Sequence, residues 1–234
     1  MSDPDPVQQS VAALARFFVG DGTMHDTVQR VVDLAASAIT PADMIGLTMM
    51  VEDKPATAFF NGPEAVHIDQ AQYDSGTGPC LDAFRDRAVY TITSMTDEDR
   101  WPAFTKSALE HGVHSSMSLP LRTGDRAVGA LNFYARETAA FGSDEEARGQ
   151  LFADQAGVVL LNAQSYWDAQ LLSERMSEAM RSRAVIEQAK GILIAQSRID
   201  ADAAFAILVE ASQGENRKVR DIAEEIVEKQ IRRP

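Results

Sequence analysis

Apolar residues along the first part of the chain change their spacing several times, which predicts a mixture of helices and strands. They recur at helical spacing through 7–18 and again through 28–39, where Thr23 stands in a position to cap the second helix. Two strand-like stretches follow at 44–51 and 56–60, separated by a charged turn that contains a proline. The pattern therefore indicates two helices followed by two strands.

The next stretch adds short helices and a clear pair of strands. Residues 63–73 fit neither period, but a glycine-rich turn and a proline then open a short helix, which is followed by a strand near 88–92 and a helix near 101–111. Residues 114–121 and 126–134 alternate between apolar and polar positions around a Thr-Gly-Asp turn, which predicts a hairpin. Because strands and helices do not alternate regularly, we expect an α+β domain with a largely antiparallel sheet flanked by helices.

The pattern changes at Ser143, where a long helix is predicted. Ser143-Asp144-Glu145-Glu146 is typical of a capping box, and no proline occurs from there to about Gln196. We interpret residues 143–180 as a long connecting helix that pairs with a copy of itself as a coiled coil; the alternative is a helix packed on its own domain. An apolar stripe, which is not a strict heptad, runs along it through Leu161, Trp167, Leu171, Leu172, Met176 and Met180.

Three helices are predicted for the tail: the end of the long helix and two more. Asp200 can cap the second of them, and Asn216 can cap the third. The helical spacing of apolar residues places Phe205, Val219 and Ile226 in a core. A segment this short is marginal for a core of its own, so support from the long helix or from a partner chain would help it.

Charge divides the chain at a similar place. The net charge of the whole chain is −13, and residues 1–170 carry all of it, with 11 Lys and Arg against 24 Asp and Glu. Residues 171–234 hold 11 of each sign. Because the acidic first part repels nucleic acid and anionic lipid, any contact with a polyanion is expected at a focused patch of the tail.

Composition limits the class of protein further. The single cysteine, Cys80, excludes an intrachain disulfide and fits a reducing compartment. No apolar run is long enough to span a membrane. Residues 1–6, which we expect to be disordered, lack the basic segment of a secretory signal. These features predict a cytoplasmic protein without a membrane partner.

Four segments, taken together, resemble a GAF sensory domain. They are YDSGTGPCLDAF at 73–84, RWPAF at 100–104, SMSLPL at 116–121 and VGALNFY at 128–134. The match covers about residues 7–165. The resemblance implies a sheet flanked by helices, with a small molecule held between the sheet and the short connecting helices.

The ligand pocket that the GAF resemblance implies is expected to be lined by Cys80, Trp101 and Phe104. The sequence indicates no cofactor, and the small-molecule ligand is left unidentified. Cys80 has two interpretations, a small buried residue or a site of redox chemistry or covalent attachment. His111 and His114 have no acidic or cysteine ligands clustered with them, so no metal site is predicted. A GAF domain that serves only for dimerisation remains an alternative.

The tail resembles an ANTAR domain over about residues 173–231. The matching segments are RAVIEQAKGIL at 183–193, AAF at 203–205 and ASQGENRKVRDIA at 211–223. The resemblance implies a coiled-coil helix that ends in a three-helix bundle, which binds RNA stem-loops, commonly a tandem pair, and prevents terminator formation. Together, the two resemblances predict an antitermination regulator that has no catalytic residues, and the long helix between the two domains predicts that it is a homodimer.

The residues expected to contact RNA lie on the first tail helix, in the turn before the third helix and at the start of the third helix. Cations bind phosphates, and polar side chains reach bases. Cations in the first turn of a helix oppose its dipole, which indicates a requirement from outside the fold. Two polar residues have a local alternative, Asn216 as a helix cap and Ser212 in a turn. The predicted set is Arg181, Arg183, Lys190, Ser212, Gln213, Asn216, Arg217, Lys218 and Arg220.

Two other functions stay open at this point. Three tail helices with Gly214 before the last one are also compatible with a DNA-binding helix-turn-helix. The GAF resemblance is compatible with a small-molecule redox enzyme that uses Cys80, although the usual resolving step of such an enzyme needs a second cysteine.

Overall fold

The chain divides into two compact units, Met1–Trp167 (the first unit) and Asp168–Pro234 (the second unit). Predictions that fall on Phe18 and Asp125 lie outside the described residues. The computed structural model describes residues 5–17, 20, 22–51, 54–124 and 126–232.

The first unit combines one sheet with helices, as the pattern predicts. Its helices are α1 (Pro6–Ala15), α2 (Met24–Ala38), α3 (Glu64–Ser75), α4 (Pro79–Asp86), α5 (Pro102–Glu110) and the beginning of α6 (Ser143–Ser197). Its strands are β1 (Met44–Val51), β2 (Lys54–Asn61), β3 (Tyr90–Ile92), β4 (Ser115–Thr123) and β5 (Arg126–Ala135). The undecided stretch at 63–73 is thus a helix.

The sheet is antiparallel throughout, with the strand order β2-β1-β5-β4-β3. The hairpin of β4 and β5 pairs Leu119 with Leu131 and Ser118 with Asn132. Strand β1 lies on the other side of β5, where Leu47 also pairs with Leu131. The predicted α+β class with an antiparallel sheet flanked by helices is confirmed.

The two faces of the sheet differ in polarity because side chains alternate along each strand. One face is apolar and includes Leu47, Leu119 and Phe133, which are fully buried in a core shared with α1, α2 and the beginning of α6. The opposite face carries Thr48, Asn132 and other buried polar residues. We call these the apolar face and the polar face of the sheet.

Helix starts follow the predicted caps in two places. Thr23 forms a full capping box with Asp26 at the start of α2: its hydroxyl accepts from the Asp26 N–H, and Asp26 accepts from the Thr23 N–H at 2.7 Å. Asp200 accepts from the N–H of Ala203 at 2.8 Å, as expected for the cap of α7 (Ala201–Glu215). Local polar signals of this kind need no tertiary contact, so the sequence reveals them.

Two other helix starts differ from the prediction. The capping residues of α6 lie one position earlier than expected, because Glu145 accepts from the N–H of Gly142 at 2.9 Å and Ser143 is already helical. The predicted disorder of residues 1–6 is wrong at its end, where Asp5 caps α1 and Pro6 forms its first turn. Residues 1–4 lie outside the described part.

The second unit contains the end of α6, helix α7 and helix α8 (Val219–Ile231). Its core is small. Half-buried side chains such as Val219 and Ile226, both predicted to be core, pack against it. The residues with full burial in this core are Ala189, Leu208, Ile222 and Ala223.

Two predictions about the second unit are wrong. Asn216 does not cap α8: it ends α7 in the left-handed region with φ 52°, and Lys218 is the N-cap of α8. Asparagine tolerates this conformation better than most residues, which explains its place there. Phe205 is not in the core, since its side chain is 44% exposed. The neighbouring Ala204 and Leu208 occupy the inward positions of α7 instead.

Two glycines of α6 should respond in opposite ways to replacement by alanine. A Cβ on Gly157 would lie 2.7 Å from the backbone oxygen of Arg122, whereas a Cβ on Gly191 would meet nothing within 4 Å. We expect Gly157→Ala to lower the free energy of unfolding by about 1–3 kcal/mol through overpacking. Gly191→Ala should raise the free energy of unfolding by about 0.5–1 kcal/mol, because alanine lowers the backbone entropy of the unfolded chain. Denaturant unfolding of both variants measures this, and equal effects would contradict the packing of α6 on β4.

Candidate functional site

Arg217 lies between α7 and α8 and is held by two carboxylates. Its guanidinium donates to Glu215 and to Glu225, each at 2.8 Å. Glu225 also accepts from Lys229, and these hydrogen bonds, Lys229 first and Arg217 second, lower the pKa of Glu225 to about 2. Arg217 is 40% exposed, so its cation is neutralised locally but stays open to solvent.

Arg220, in the first turn of α8, contacts the long helix. Its guanidinium donates to Glu178 of α6 and, at 3.2 Å, to the adjacent Asp221. The pKa of Glu178 is lowered chiefly by Arg220, and the charges of Lys218 and Arg181 lower it further. The fold therefore brings cations from α6 and from the start of α8 around a single carboxylate.

Lys218 differs from these two arginines. It is exposed at the N-cap of α8 and, within the part of the chain that the structure describes, forms no ion pair. An exposed ammonium at this place is free to bind a phosphate without first losing a partner. We call Arg181, Arg217, Lys218 and Arg220 the cationic surface.

Two other predicted cations lie elsewhere on α6. Arg183 follows Arg181 by two residues, and positions at that spacing do not face the same side of a helix. Lys190 is only 16% exposed and donates to Glu187 at 3.0 Å. At 100° per residue, Lys190 lies on the same side as Arg183. The structure therefore does not bring this pair together with Arg181.

The polar residues predicted to contact RNA have different local roles. The Ser212 hydroxyl donates to the backbone oxygen of Arg217, and the Arg217 N–H donates back to the oxygen of Ser212 at 3.0 Å. Ser212 thus closes the turn between α7 and α8, which was its predicted alternative. Gln213 and Asn216 are exposed beside this turn and can present their amides to a ligand.

In the first unit, the polar face of the sheet surrounds a buried carboxyl group. Asp69 of α3 accepts from the hydroxyl of Tyr134 at 2.5 Å, from the amide of Asn132 at 3.1 Å and from the hydroxyl of Thr57 at 3.1 Å. Burial raises the pKa of Asp69 to about 6, while these hydrogen bonds oppose the shift. A Cβ on Gly46 would lie 2.5 Å from this carboxylate, so glycine is needed to admit it.

Cys80 joins this polar cluster from α4. Its thiol donates to the Thr48 hydroxyl at 3.2 Å, and its N–H donates to the side-chain oxygen of Gln72 at 2.9 Å. Full burial and the nearby Asp69 raise the pKa of Cys80 to about 12. Since the thiolate is the reactive form, Cys80 in this environment is a poor nucleophile.

Trp101 and Phe104 occupy a separate apolar cluster on the same side of the sheet. Trp101 is buried and donates from its indole to Asp82 at 2.8 Å. The ring of Phe104 lies 6.4 Å from that of Tyr134. The three residues predicted to line a pocket thus border the polar face, with Tyr134 between the two clusters.

Several buried polar atoms on the polar face of the sheet lack a hydrogen-bond partner among the described residues. They include the side-chain oxygen of Asn132 and the hydroxyls of Ser116 and Ser118. A cavity of about 320 Å³ is lined in part by Phe84 and by Tyr73, whose hydroxyl hydrogen-bonds to Thr48 and Thr57. Sequence reasoning missed these polar residues, although Ser116, Ser118 and Asn132 alternate with apolar neighbours and mark the second face of the sheet.

Asp69 should make the stability of the first unit depend on pH. Its pKa of about 6 in the folded state lies above the ordinary aspartate pKa of 3.8, so the folded state holds the proton more tightly. Stability is therefore expected to fall as the pH rises from about 4 to 7, by about 3 kcal/mol from this group. Denaturant unfolding across that range measures the effect.

The Asp69→Asn variant should lose this part of the pH dependence, because it cannot ionise. Asp74→Asn is the matched control, since Asp74 is on the same helix and exposed. If the wild type and Asp69→Asn show the same slope of unfolding free energy against pH, the assignment is wrong.

Comparisons with known families agree with both resemblances. The GAF domain family matches residues 21–161, and the ANTAR domain family matches residues 174–227. No curated protein is similar enough to count as a match.

Solved structures similar to the chain share its fold at low sequence identity. The GAF domain from Acinetobacter phosphoenolpyruvate-protein phosphotransferase has 14% identity and a TM-score of 0.51, over 70% of this chain and 97% of that one. The free methionine-R-sulfoxide reductase from Neisseria meningitidis, in complex with its substrate, has 15% identity and a TM-score of 0.52, over 68% and 89%. Likeness at this level shows the fold alone.

Within the described residues, no helix is both long enough and apolar enough to cross a membrane. In the same residues, no group of three or more His, Cys, Asp or Glu side chains is arranged to hold a metal ion.

The GAF match alone spans more than half of the sequence. The chain therefore belongs to the GAF domain family and carries an ANTAR domain after its GAF domain.

Proposed function

We propose that this protein is an RNA-binding antitermination regulator, in which a GAF sensor over residues 7–165 controls an ANTAR output domain over residues 173–231. The observation that carries the proposal is the cationic surface at the start of α8, which lies inside the segment matched to the ANTAR family. Three of its four members surround Glu178. Clustered cations of this kind are what a phosphate backbone requires.

The carboxylates paired with the arginines are compatible with RNA binding. Exposed ion pairs contribute little to stability, so a phosphate can replace Glu178 or Glu225 as the partner of an arginine. The exposed amides of Gln213 and Asn216 lie beside the cations and can reach bases. Phosphate contacts and base contacts would then come from adjacent positions at one turn.

The long helix supports a homodimer. Four apolar side chains of the predicted stripe are exposed on α6, between 45% and 72%, and lack a covering element within the described part of the second unit: Leu171, Leu172, Met176 and Met180. Burying such side chains against a second copy of the helix is favourable, and paired helices would present two ANTAR domains to a tandem pair of stem-loops.

Signal input is assigned to the first unit. A small molecule bound at the polar face of the sheet can shift RNA affinity only by its different affinity for two states of the protein. The buried cysteine, with its raised pKa, favours this sensor role over a redox enzyme. Because nascent transcripts would be the target, we place the activity in the cytoplasm.

RNA hairpins and duplex DNA distinguish the proposal from a DNA-binding regulator. The full chain is titrated, at one fixed salt concentration, with tandem RNA hairpins and with duplex DNA of the same sequence. Tighter binding of the hairpins supports the proposal, and tighter binding of duplex DNA overturns it.

Replacing Lys218 by alanine should weaken RNA binding and make it less sensitive to salt. One lost phosphate contact lowers the slope of log K against log salt by about 0.7–0.9. Arg217→Ala should act in the same direction. Arg232→Ala, which removes an exposed cation at the far end of α8, is the control and should leave the slope unchanged. If Lys218→Ala and Arg217→Ala both keep the wild-type salt slope, the RNA binds at another surface of the protein.

Glu178→Gln should strengthen RNA binding, because it frees Arg220 from its carboxylate partner. Glu174→Gln removes the same charge one turn earlier on α6 and controls for the change in net charge. Filter binding at fixed salt compares the two variants, and an equal gain in both would mean that the Glu178–Arg220 pair does not compete with RNA.

A further inference from the structure

Phe205 is exposed although its spacing predicts a core position. Its side chain is 44% exposed, and it is absent from the side chains that pack against the core of the second unit. Among the described residues, its ring contacts no aromatic ring and no cation. Ala204 and Leu208 complete the inward side of α7 without it. The ring of Phe205 is therefore not required by the fold of this unit.

Phe205 lies on the side of α7 that also carries Gln213, whose amide is beside the cationic surface. Gln213 follows Phe205 by eight residues, so at 100° per residue the two positions lie about 80° apart around the helix, and Asn216 is the C-cap directly after the last turn. With a rise of 1.5 Å per residue, Gln213 lies about 12 Å further along the helix. A ligand that contacts these amides can thus extend to Phe205.

The distribution of charge along α7 favours different ligand groups at the two ends of the helix. The helix contains no Lys or Arg, and the exposed Asp202 lies one turn before Phe205. Arg217 and Lys218 lie at the opposite end, after α7. Phosphates are therefore attracted to the C-terminal end of α7, whereas the surroundings of Phe205 suit a neutral, flat group.

We propose that Phe205 stacks on an unpaired base of an RNA loop, while the cationic surface binds phosphates of the adjoining stem. This inference rests on the proposed function. Proteins that read RNA by sequence do so mainly at unpaired bases, which can turn outward and stack on aromatic side chains. Every base has a flat face, so the stacking itself tolerates several loop sequences, and the amides of Gln213 and Asn216 are available to select among them.

The test uses the full chain and a tandem RNA hairpin that the wild type selects from a pool with randomised loops. A second probe closes the same stem into a continuous RNA duplex. Phe205→Ala should lower the affinity for the hairpin by about 5- to 150-fold, the range for one stacked base. Its salt slope should stay that of the wild type, because no phosphate contact is lost. Binding to the duplex should not change.

Two further variants make the test specific. Phe205→Trp should keep the affinity of the wild type for the hairpin, since a larger ring also stacks. Ile207→Ala is the matched control, because Ile207 is 41% exposed on another side of α7. It should bind the hairpin as the wild type does.

Each unfavourable result has a distinct meaning. If the wild type selects no hairpin, the proposed function fails and the inference fails with it. If the wild type binds the hairpin and Phe205→Ala binds it equally well, only the inference is overturned. The same holds if Phe205→Ala and Ile207→Ala lose affinity equally, or if Phe205→Trp does not retain it.

Discussion

The alternation of side chains along the central strands is the constraint from which the first unit is built. In β5, Leu131 and Phe133 face the apolar side, and Asn132 and Tyr134 face the polar side. The apolar side has to be covered, and α1, α2 and the beginning of α6 cover it. The polar side needs hydrogen-bond partners instead, because unpaired buried polar groups are costly. Helix α3 supplies them by placing Asp69 where the neutral donors Thr57, Asn132 and Tyr134 converge.

Elements with strong local signals could be predicted, and those that depend on tertiary contacts could not. The hairpin of β4 and β5 and the caps at Thr23 and Asp200 follow from alternation and from polar residues next to helix starts. Helix α3 gives no such signal, since it buries Asp69 and therefore lacks a purely apolar face. Phe205 fits the helical period of a core position, but only the packing of α7 shows that the core closes without it.

The candidate site shows the same division. Resemblance to a family pointed to the cations near α8, yet it could not show how they are arranged. Arg220 meets Glu178 across a separation of 42 residues, and nothing in the spacing of the sequence indicates such a pair. Conversely, Arg181 and Arg183 are only two residues apart in the sequence but lie on different sides of α6, which follows from helix geometry alone.

The carboxylates that hold Arg217 and Arg220 bear on selectivity. A living cell is crowded with polyanions, from ribosomes to metabolites, and bare arginines would adhere to many of them. Here an incoming anion has to displace Glu215 and Glu225 from Arg217, or Glu178 from Arg220. Electrostatic attraction alone therefore adds little binding free energy. Only a molecule whose shape satisfies several positions at once gains from that exchange, which makes discrimination a matter of fit rather than of charge.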